Sequence, residues 1–195
     1  NPTVAALEER VAALEGGRAA LATATGMAAQ MVALLTLCRN GDHLVASRTL
    51  YGGTYSQFAV TFAQFGIDTT FVDGSEPANF RAAVRPNTKA IYVETIGNPQ
   101  LDVADLSAVA EIAHAAGVPL VVDNTLASPY LCRPFEHGAD IVLHSVTKYL
   151  GGHNDLMAGA VIGRAALTTP LRAMQGLLGN VCAPHTAYLI LRGMK

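Results

Sequence analysis

A lysine that closely follows two hydroxyl-bearing residues is the residue of this chain best suited to chemistry. Lys148 ends the segment His-Ser-Val-Thr-Lys at 144–148, directly after the apolar residues 141–143. Asp123 follows a second apolar stretch, residues 119–122. An amine, a carboxylate and hydroxyls at the ends of two buried strands could hold an aldehyde cofactor as a Schiff base, protonate its ring and bind its phosphate. This combination indicates pyridoxal phosphate chemistry.

The composition is that of a folded protein with a large core. The chain has 195 residues, of which 51% are hydrophobic and 14% charged. We therefore expect one large folded domain over residues 1–195 and no disorder. The net charge of −2 and the lack of basic clusters argue against a nucleic-acid or membrane-surface partner. No apolar run has the length of a membrane span, and no cleavable signal pattern opens the sequence.

The cysteines and histidines do not indicate a disulfide or metal framework. The three cysteines show no Cys-x-x-Cys spacing, which predicts reduced thiols and a cytoplasmic location. His144 and His153 flank the lysine segment, but no cysteine or carboxylate cluster accompanies them at metal-ligand spacing, so no metal site is expected. His153 is interpreted as a residue that positions the turn at 151–155.

The hydrophobic pattern predicts alternating strands and helices. Strands are predicted at residues 19–25, 43–47, 67–72, 89–94, 119–123, 141–144 and 159–162, and helices at 3–14, 26–38, 55–65, 78–84 and 103–115. In the first helix, Glu8 and Glu9 are expected to face outward, opposite an apolar stripe formed by Val4, Leu7, Val11 and Leu14. The strands are near-continuous apolar runs, which favours a mostly parallel sheet between two helical layers, a three-layer α/β/α fold.

The candidate residues fall where such a fold binds ligands, at the carboxyl ends of its strands. Glu94, Asp123 and the segment 145–148 each follow a predicted strand. Gly26 and Met27 begin a predicted helix, where free N–H groups and the helix dipole favour a phosphate. Each residue alone has an ordinary explanation, such as a surface lysine, a capping aspartate or a turn glycine. Their joint occurrence at one edge of the sheet favours a single site.

Nine segments of the sequence carry a resemblance to a known family. They are Asn1-Pro2-Thr3, Ala24-Thr25-Gly26-Met27-Ala28-Ala29, Tyr51-Gly52-Gly53-Thr54, Glu94-Thr95-Ile96-Gly97-Asn98-Pro99, Val121-Val122-Asp123-Asn124-Thr125, Ser128-Pro129-Tyr130, His144-Ser145-Val146-Thr147-Lys148-Tyr149, Gly151-Gly152-His153-Asn154-Asp155 and Leu191-Arg192-Gly193. These segments resemble the Cys/Met metabolism, or trans-sulfuration, family of pyridoxal-phosphate enzymes. The family includes cystathionine γ-synthase, cystathionine γ-lyase, methionine γ-lyase and the O-acetylhomoserine sulfhydrylases. The resemblance implies the large cofactor-binding domain of the fold-type I enzymes.

The resemblance also implies roles for residues that face the cofactor ring. Lys148 would form the Schiff base with pyridoxal phosphate and then move protons between substrate carbons. Asp123 would pair with the pyridine nitrogen and keep it protonated. Tyr51 would stack on the ring and serve as a second acid or base, and Asn98 would face the phenolic oxygen. Glu94 is expected to orient its neighbours rather than react.

For the phosphate, the resemblance implies backbone N–H groups from Gly26 and Met27 and hydroxyls from Ser145 and Thr147. In the family, a Tyr-x-Arg segment just before the Asn-Pro-Thr segment completes the phosphate pocket of the neighbouring subunit. A substrate-binding arginine lies in a smaller C-terminal domain. Neither feature is present here, so the chain is expected to be part of a protein about twice as long and inactive alone. The intact protein is expected to be a homodimer or homotetramer with shared sites, and the first helix to lie near an interface.

The resemblance indicates the cofactor more clearly than it indicates the reaction. The forms at 51–54 and 94–99 resemble homoserine-ester sulfhydrylases, which favours γ-replacement of the sulfhydrylase or cystathionine γ-synthase type on an amino-acid substrate. Methionine γ-lyases usually carry a cysteine at the position of Gly53. The turn at 151–155 instead resembles cystathionine synthases and lyases, so γ-elimination remains the main alternative. Three further alternatives remain open. They are β-elimination or another fate of the substrate, an aminotransferase of the same fold, and a non-catalytic module of the same fold.

Overall fold

A seven-stranded sheet forms the centre of the structure, a computed structural model that describes residues 1–194. Its strands are β1 (Ala19–Thr23), β2 (His43–Ser47), β3 (Asp68–Val72), β4 (Thr88–Glu94), β5 (Leu120–Asp123), β6 (Ile141–Ser145) and β7 (Gly159–Gly163). Their order in the sheet is β1-β7-β6-β5-β4-β2-β3. The pairs from β6 to β3 are parallel, and β7 runs antiparallel to both β6 and β1. The prediction of a mostly parallel sheet is confirmed.

Helices cover both faces of this sheet. The α-helices are α1 (Pro2–Glu15), α2 (Gly26–Leu37), α3 (Gly52–Ser56), α4 (Pro77–Ala83), α5 (Leu106–Ala115), α6 (Ser128–Leu131), α7 (Ala165–Leu178) and α8 (Pro184–Gly193). One apolar cluster joins α1, α4, α5 and α8 to one face, and a second joins α2, α7 and the π-helix Gln57–Phe62 to the other. The three-layer α/β/α arrangement is therefore confirmed. None of the helices within residues 1–194 is long and apolar enough to cross a membrane.

The strands are apolar along their whole length because each buries side chains on both faces. In β4, Ile91 and Val93 pack against the cluster that contains α1, whereas Ala90 and Tyr92 pack against the cluster that contains α2. Successive side chains of a strand point to opposite faces, so two covering layers require two apolar sets. Burial of each large side chain stabilises the fold by about 1.5–3 kcal/mol.

The first helix differs from its predicted orientation. Leu7 and Val11 are buried as expected, whereas Leu14 is exposed. The prediction that Glu8 faces outward is wrong, because its carboxylate accepts a hydrogen bond from the Ala22 N–H at 2.9 Å and pairs with Arg172 at 2.6 Å. This carboxylate supplies an acceptor to β1, which lies at the edge of the sheet.

Several element boundaries differ from the predicted ones for local reasons. The helix predicted at 103–115 begins at Leu106, because the Asp105 side chain caps it by accepting from the Ala108 N–H at 3.0 Å. Val103 instead bridges to Ile96. The helix predicted at 55–65 is α3 continued by the π-helix. Helix α7 was not predicted, and Pro170 lies inside it.

Candidate active site

A cavity of about 820 Å³ opens at the carboxyl ends of the parallel strands. All eight residues predicted for the site line it, namely Gly26, Met27, Tyr51, Asn98, Asp123, Ser145, Thr147 and Lys148. The volume lies within the range of about 300–1,000 Å³ that is usual for small-molecule sites. Residues far apart in the sequence are thus brought to one place, as the parallel sheet predicts.

The N-terminus of α2 forms one wall of this cavity. The Thr25 side chain accepts from the Ala28 N–H at 3.0 Å, and the Thr25 carbonyl accepts from the Ala29 N–H at 3.0 Å. The N–H groups of Gly26 and Met27 precede these bonds and are therefore available to an anion. A Cβ atom on Gly26 would lie 2.8 Å from the Ser145 Cβ, so only glycine lets α2 begin this close to β6.

Lys148 lies in a turn immediately after β6. Its backbone N–H donates to the Ser145 carbonyl at 3.1 Å, and its carbonyl accepts from the Gly152 N–H at 2.9 Å. The preceding hydroxyl, that of Thr147, donates to the Ala158 carbonyl at 3.2 Å and accepts from the Ala158 N–H at 3.1 Å. The turn thus fixes the backbone of Lys148. To donate to a phosphate, the Thr147 hydroxyl would have to give up its bond to the Ala158 carbonyl.

Asp123 presents a half-buried carboxylate at the end of β5. It accepts hydrogen bonds from the Thr125 N–H at 2.9 Å and from the Thr125 hydroxyl. Burial raises the pKa of Asp123, and the two bonds from Thr125 act in the opposite direction. The Thr125 hydroxyl also accepts from the Ser145 N–H at 2.8 Å, so it links the ends of β5 and β6.

Glu94 clamps the two loops that carry Tyr51 and Asn98. One oxygen of its buried carboxyl group accepts from the Tyr51 N–H at 2.8 Å, and the other accepts from the Asn98 N–H at 3.3 Å. Burial, together with the charge of Asp123 in the adjacent register position, raises the pKa of Glu94 to about 8. At neutral pH the carboxyl group of Glu94 is therefore mostly protonated. The geometry suits the orienting role expected for Glu94.

The raised pKa of Glu94 predicts a pH-dependent stability. Folding lifts this pKa from its ordinary value of 4.5 to about 8, so the folded protein retains a proton that the unfolded chain releases over this interval. The free energy of unfolding should therefore fall as pH rises from about 4.5 to about 8. Urea unfolding of the cofactor-free protein at several pH values measures this slope. Glu94→Gln should flatten it, because the amide does not ionise.

Glu94→Gln has one acceptor oxygen instead of two, so it loses one of the two bonds from the backbone N–H groups of Tyr51 and Asn98. This loss lowers the stability of the variant equally at every pH, so the slope remains the informative quantity. An unchanged slope in this variant would show that Glu94 ionises in the folded protein as it does in the unfolded chain.

A buried polar cluster of three residues at the cavity was not predicted from the sequence. The Gln30 amide donates to the Tyr92 hydroxyl at 2.8 Å and to the Thr54 hydroxyl at 3.0 Å. A glutamine inside an otherwise apolar helix was the available signal. Further lining residues that were given no role are Ile96, Thr125, Leu126, Tyr149, Gly152, Asn154 and Met157. Nδ1 of His153 donates to the Gly151 carbonyl at 3.1 Å, as its predicted role in the turn requires.

Comparison with known proteins assigns the chain to a family. The model of the family described as Cys/Met metabolism PLP-dependent enzyme matches residues 1–195. The chain belongs to this family. Pyridoxal phosphate is the cofactor of Cys/Met metabolism PLP-dependent enzymes, and the cavity residues fit it. The N–H groups at the start of α2 suit a phosphate, the half-buried Asp123 suits a protonated ring nitrogen, and Lys148 supplies an amine for the aldehyde.

Relatives within the family carry several different activities. O-acetyl-L-homoserine sulfhydrylase of Leptospira meyeri is 56% identical over 162 residues, which cover 83% of this chain and 37% of that protein. L-methionine γ-lyase of Fusobacterium nucleatum subsp. polymorphum is 46% identical over 198 residues, which cover 100% of this chain and 50% of that protein. The chain therefore spans about half the length of the relatives it matches, or less.

The fold closely matches that of a solved cystathionine γ-lyase. The crystal structure of cystathionine γ-lyase from Lactobacillus plantarum complexed with L-serine matches with a TM-score of 0.96 and 42% sequence identity. The match covers 100% of this chain and 51% of that one.

Proposed function

We propose that the whole protein catalyses γ-replacement on a homoserine ester with pyridoxal phosphate, in the manner of an O-acetylhomoserine sulfhydrylase or a cystathionine γ-synthase. Residues 1–195 would be its large cofactor-binding domain. Support comes from the sulfhydrylase of Leptospira meyeri, which has the higher identity per aligned residue, although over a shorter stretch than the γ-lyase. The observation that carries the proposal is the packing of Tyr51 against Gly53.

The Tyr51 ring lies where a side chain at position 53 would be. A Cβ atom on Gly53 would be 2.5 Å from Cε1 of this ring and 3.3 Å from the Met27 sulfur. A cysteine at this position, usual in methionine γ-lyases according to the family resemblance, would therefore require the ring to move. The glycine favours the sulfhydrylase type over the methionine γ-lyase type.

The residues of the cavity would divide the work between binding and proton transfer. Bound pyridoxal phosphate supplies an electron sink for negative charge that develops on the substrate. Gly26 and Met27 would donate their N–H groups to the phosphate, with the Ser145 and Thr147 hydroxyls as further donors. The turn at 146–152 would hold the Lys148 amine where it can take a proton from one substrate carbon and return it to another.

The remaining side chains would act on the cofactor ring. Asp123 would accept a charge-assisted hydrogen bond from the ring nitrogen, and this bond favours the protonated ring. Tyr51, whose loop is held by Glu94, would cover the ring and could exchange a proton with the leaving group. Asn98, held by the same carboxyl group, would face the phenolic oxygen.

γ-Elimination, as in a cystathionine γ-lyase, is the second candidate. The turn at 151–155 resembles those of cystathionine synthases and of cystathionine lyases, and the likeness to the lyases supports this candidate. The closely matching fold of the cystathionine γ-lyase from Lactobacillus plantarum is compatible with it.

A product assay on the full-length protein separates the two candidates. The assay offers O-acetylhomoserine, O-succinylhomoserine, cystathionine and methionine, each with and without sulfide or cysteine. We expect a homoserine ester to be converted to homocysteine with sulfide or to cystathionine with cysteine. Release of a keto acid and ammonia from cystathionine or methionine, without use of the esters, would contradict the γ-replacement proposal and support γ-elimination.

We also propose, from the family resemblance, that the intact protein is a cytoplasmic homodimer or homotetramer in which the neighbouring subunit completes each phosphate pocket. Helix α1 would then lie near an interface. Sedimentation of the full-length protein tests the assembly, and a monomer with full activity would contradict it.

A further inference from the structure

A buried polar network lies behind the active-site cavity, on the face of the sheet that α1 covers. Its members Glu15, Asn124 and His144 are at most 1% exposed. One oxygen of the Glu15 carboxylate accepts from the Asn124 amide at 2.9 Å and makes a short hydrogen bond with Nε2 of His144. The Asn124 amide also donates to the Cys132 carbonyl at 2.8 Å, and its oxygen accepts from the Thr95 hydroxyl at 2.8 Å.

This network is adjacent in the chain to the residues of the cavity. Thr95 follows Glu94, Asn124 follows Asp123, and His144 precedes Ser145. Because side chains alternate between the two faces of a strand, one member of each pair faces the cavity and the other faces α1. The network therefore joins the ends of β4, β5 and β6 immediately behind the cofactor site.

The network places a buried carboxylate, that of Glu15, in contact with a histidine. The second oxygen of Glu15 has no hydrogen-bond partner among the described residues, so this carboxylate is desolvated as well as buried. A buried carboxylate needs a compensating charge, and His144 is the basic side chain in contact with it. Titratable groups near the pair include Cys132, whose pKa is raised by burial and by Glu15, and Asp123 on the cavity side, with Glu94 and Tyr92 beside it.

The charge of His144 acts on Asp123 through the sheet. Burial raises the pKa of Asp123, whereas the positive charge of His144 lowers it. Glu15 is the last residue of α1 and contacts His144 on the face of the sheet away from the cavity. His144 therefore acts together with the two bonds from Thr125 against the effect of burial on the pKa of Asp123.

We propose that Glu15 and His144 are positioning residues for the cofactor site: this buried pair, held directly behind Asp123, supports the carboxylate form of Asp123 that a protonated ring nitrogen requires. The inference rests on the proposed function, since it concerns the partner of the cofactor ring. Neither residue touches the cavity, and neither was assigned a role from the sequence.

The variant Glu15→Gln of the full-length protein, loaded with pyridoxal phosphate, tests this proposal. It removes the buried negative charge that His144 contacts and keeps the size of the side chain. We expect kcat to fall about 10- to 100-fold with little change in KM, in line with other residues that act through a neighbour. The acid limb of the pH profile of kcat, and of the absorbance band of the bound cofactor, should move up by about one pH unit.

The matched control is Glu8→Gln, which removes a second buried carboxylate from the same helix. Glu8 contacts β1 and Arg172 rather than the strands that carry the cavity residues. Its variant should lower the melting temperature and leave both pH profiles of the parent protein unchanged. If Glu15→Gln also leaves both profiles unchanged, Glu15 serves stability alone and the proposal is wrong.

Two further variants keep the test decisive. If Glu15→Gln does not fold, the double variant Glu15→Gln with His144→Gln removes both charges of the pair and should show the same upward shift of the acid limb. An unshifted limb in that variant would equally overturn the proposal. Lys148→Ala is assayed in parallel to test the proposed function separately. Full turnover in Lys148→Ala refutes the proposed function. Loss of turnover in Lys148→Ala together with unchanged pH profiles in Glu15→Gln refutes only the positioning role of Glu15 and His144.

Discussion

Lys148→Ala in the full-length protein should lower turnover by several orders of magnitude. Without the amine, pyridoxal phosphate can bind only noncovalently, and the group that moves protons between substrate carbons is absent. Steady-state assay of the loaded variant measures the loss of rate, and its absorbance spectrum shows whether covalent attachment of the cofactor is lost. Noncovalent binding should survive in part, since the backbone N–H groups of Gly26 and Met27 are unchanged.

Lys89→Ala is the matched control for this experiment. Lys89 lies in β4, is about half exposed and faces Asp42 at 3.9 Å rather than the cavity. Its removal should leave turnover and the absorbance spectrum of the bound cofactor unchanged. Normal turnover in Lys148→Ala would refute the assignment of Lys148 as the catalytic amine.

Asp123→Asn should reduce turnover far more than it reduces cofactor occupancy. An amide cannot favour the protonated ring nitrogen by its charge, so the electron sink weakens. The shape of the pocket is retained, because the amide oxygen can still accept from the Thr125 N–H. Parallel titration of cofactor binding and measurement of kcat separate the two effects.

Asp140→Asn provides a comparison for Asp123→Asn at a half-buried aspartate away from the cavity. Asp140 pairs with His114 and Arg164, so its variant should lower stability without changing rate or occupancy. If Asp123→Asn loses its cofactor while retaining its rate per bound cofactor, Asp123 is a structural residue only.

The sheet and the position of the site were predictable because both depend on local patterns. Residues 43–47 were predicted as a strand and form β2, since a short apolar run between turn signals has few alternatives. Once the strands are parallel, their carboxyl ends share one edge. The placement of Asp123 and Lys148 in one cavity then follows from topology.

The burial of Glu8 and Glu15 was not predictable from the same patterns. Both lie on α1 among alanines, where a carboxylate ordinarily faces solvent. Their partners Arg172 and His144 lie more than a hundred residues away in the chain, so only the tertiary structure reveals the pairs. Helix α7 was missed for a related reason, because Pro170 is a local signal against a helix that tertiary packing overrides.

Borohydride reduction of the full-length protein loaded with pyridoxal phosphate tests the central claim most directly. Reduction fixes the cofactor to the amine that holds it, and mass spectrometry of the digested protein identifies that residue. Within this sequence the only candidates are Lys89, Lys148 and Lys195. We expect the adduct on the peptide that contains Lys148. A fully active protein whose adduct forms elsewhere, with Lys148 unmodified, would contradict the assignment of the site.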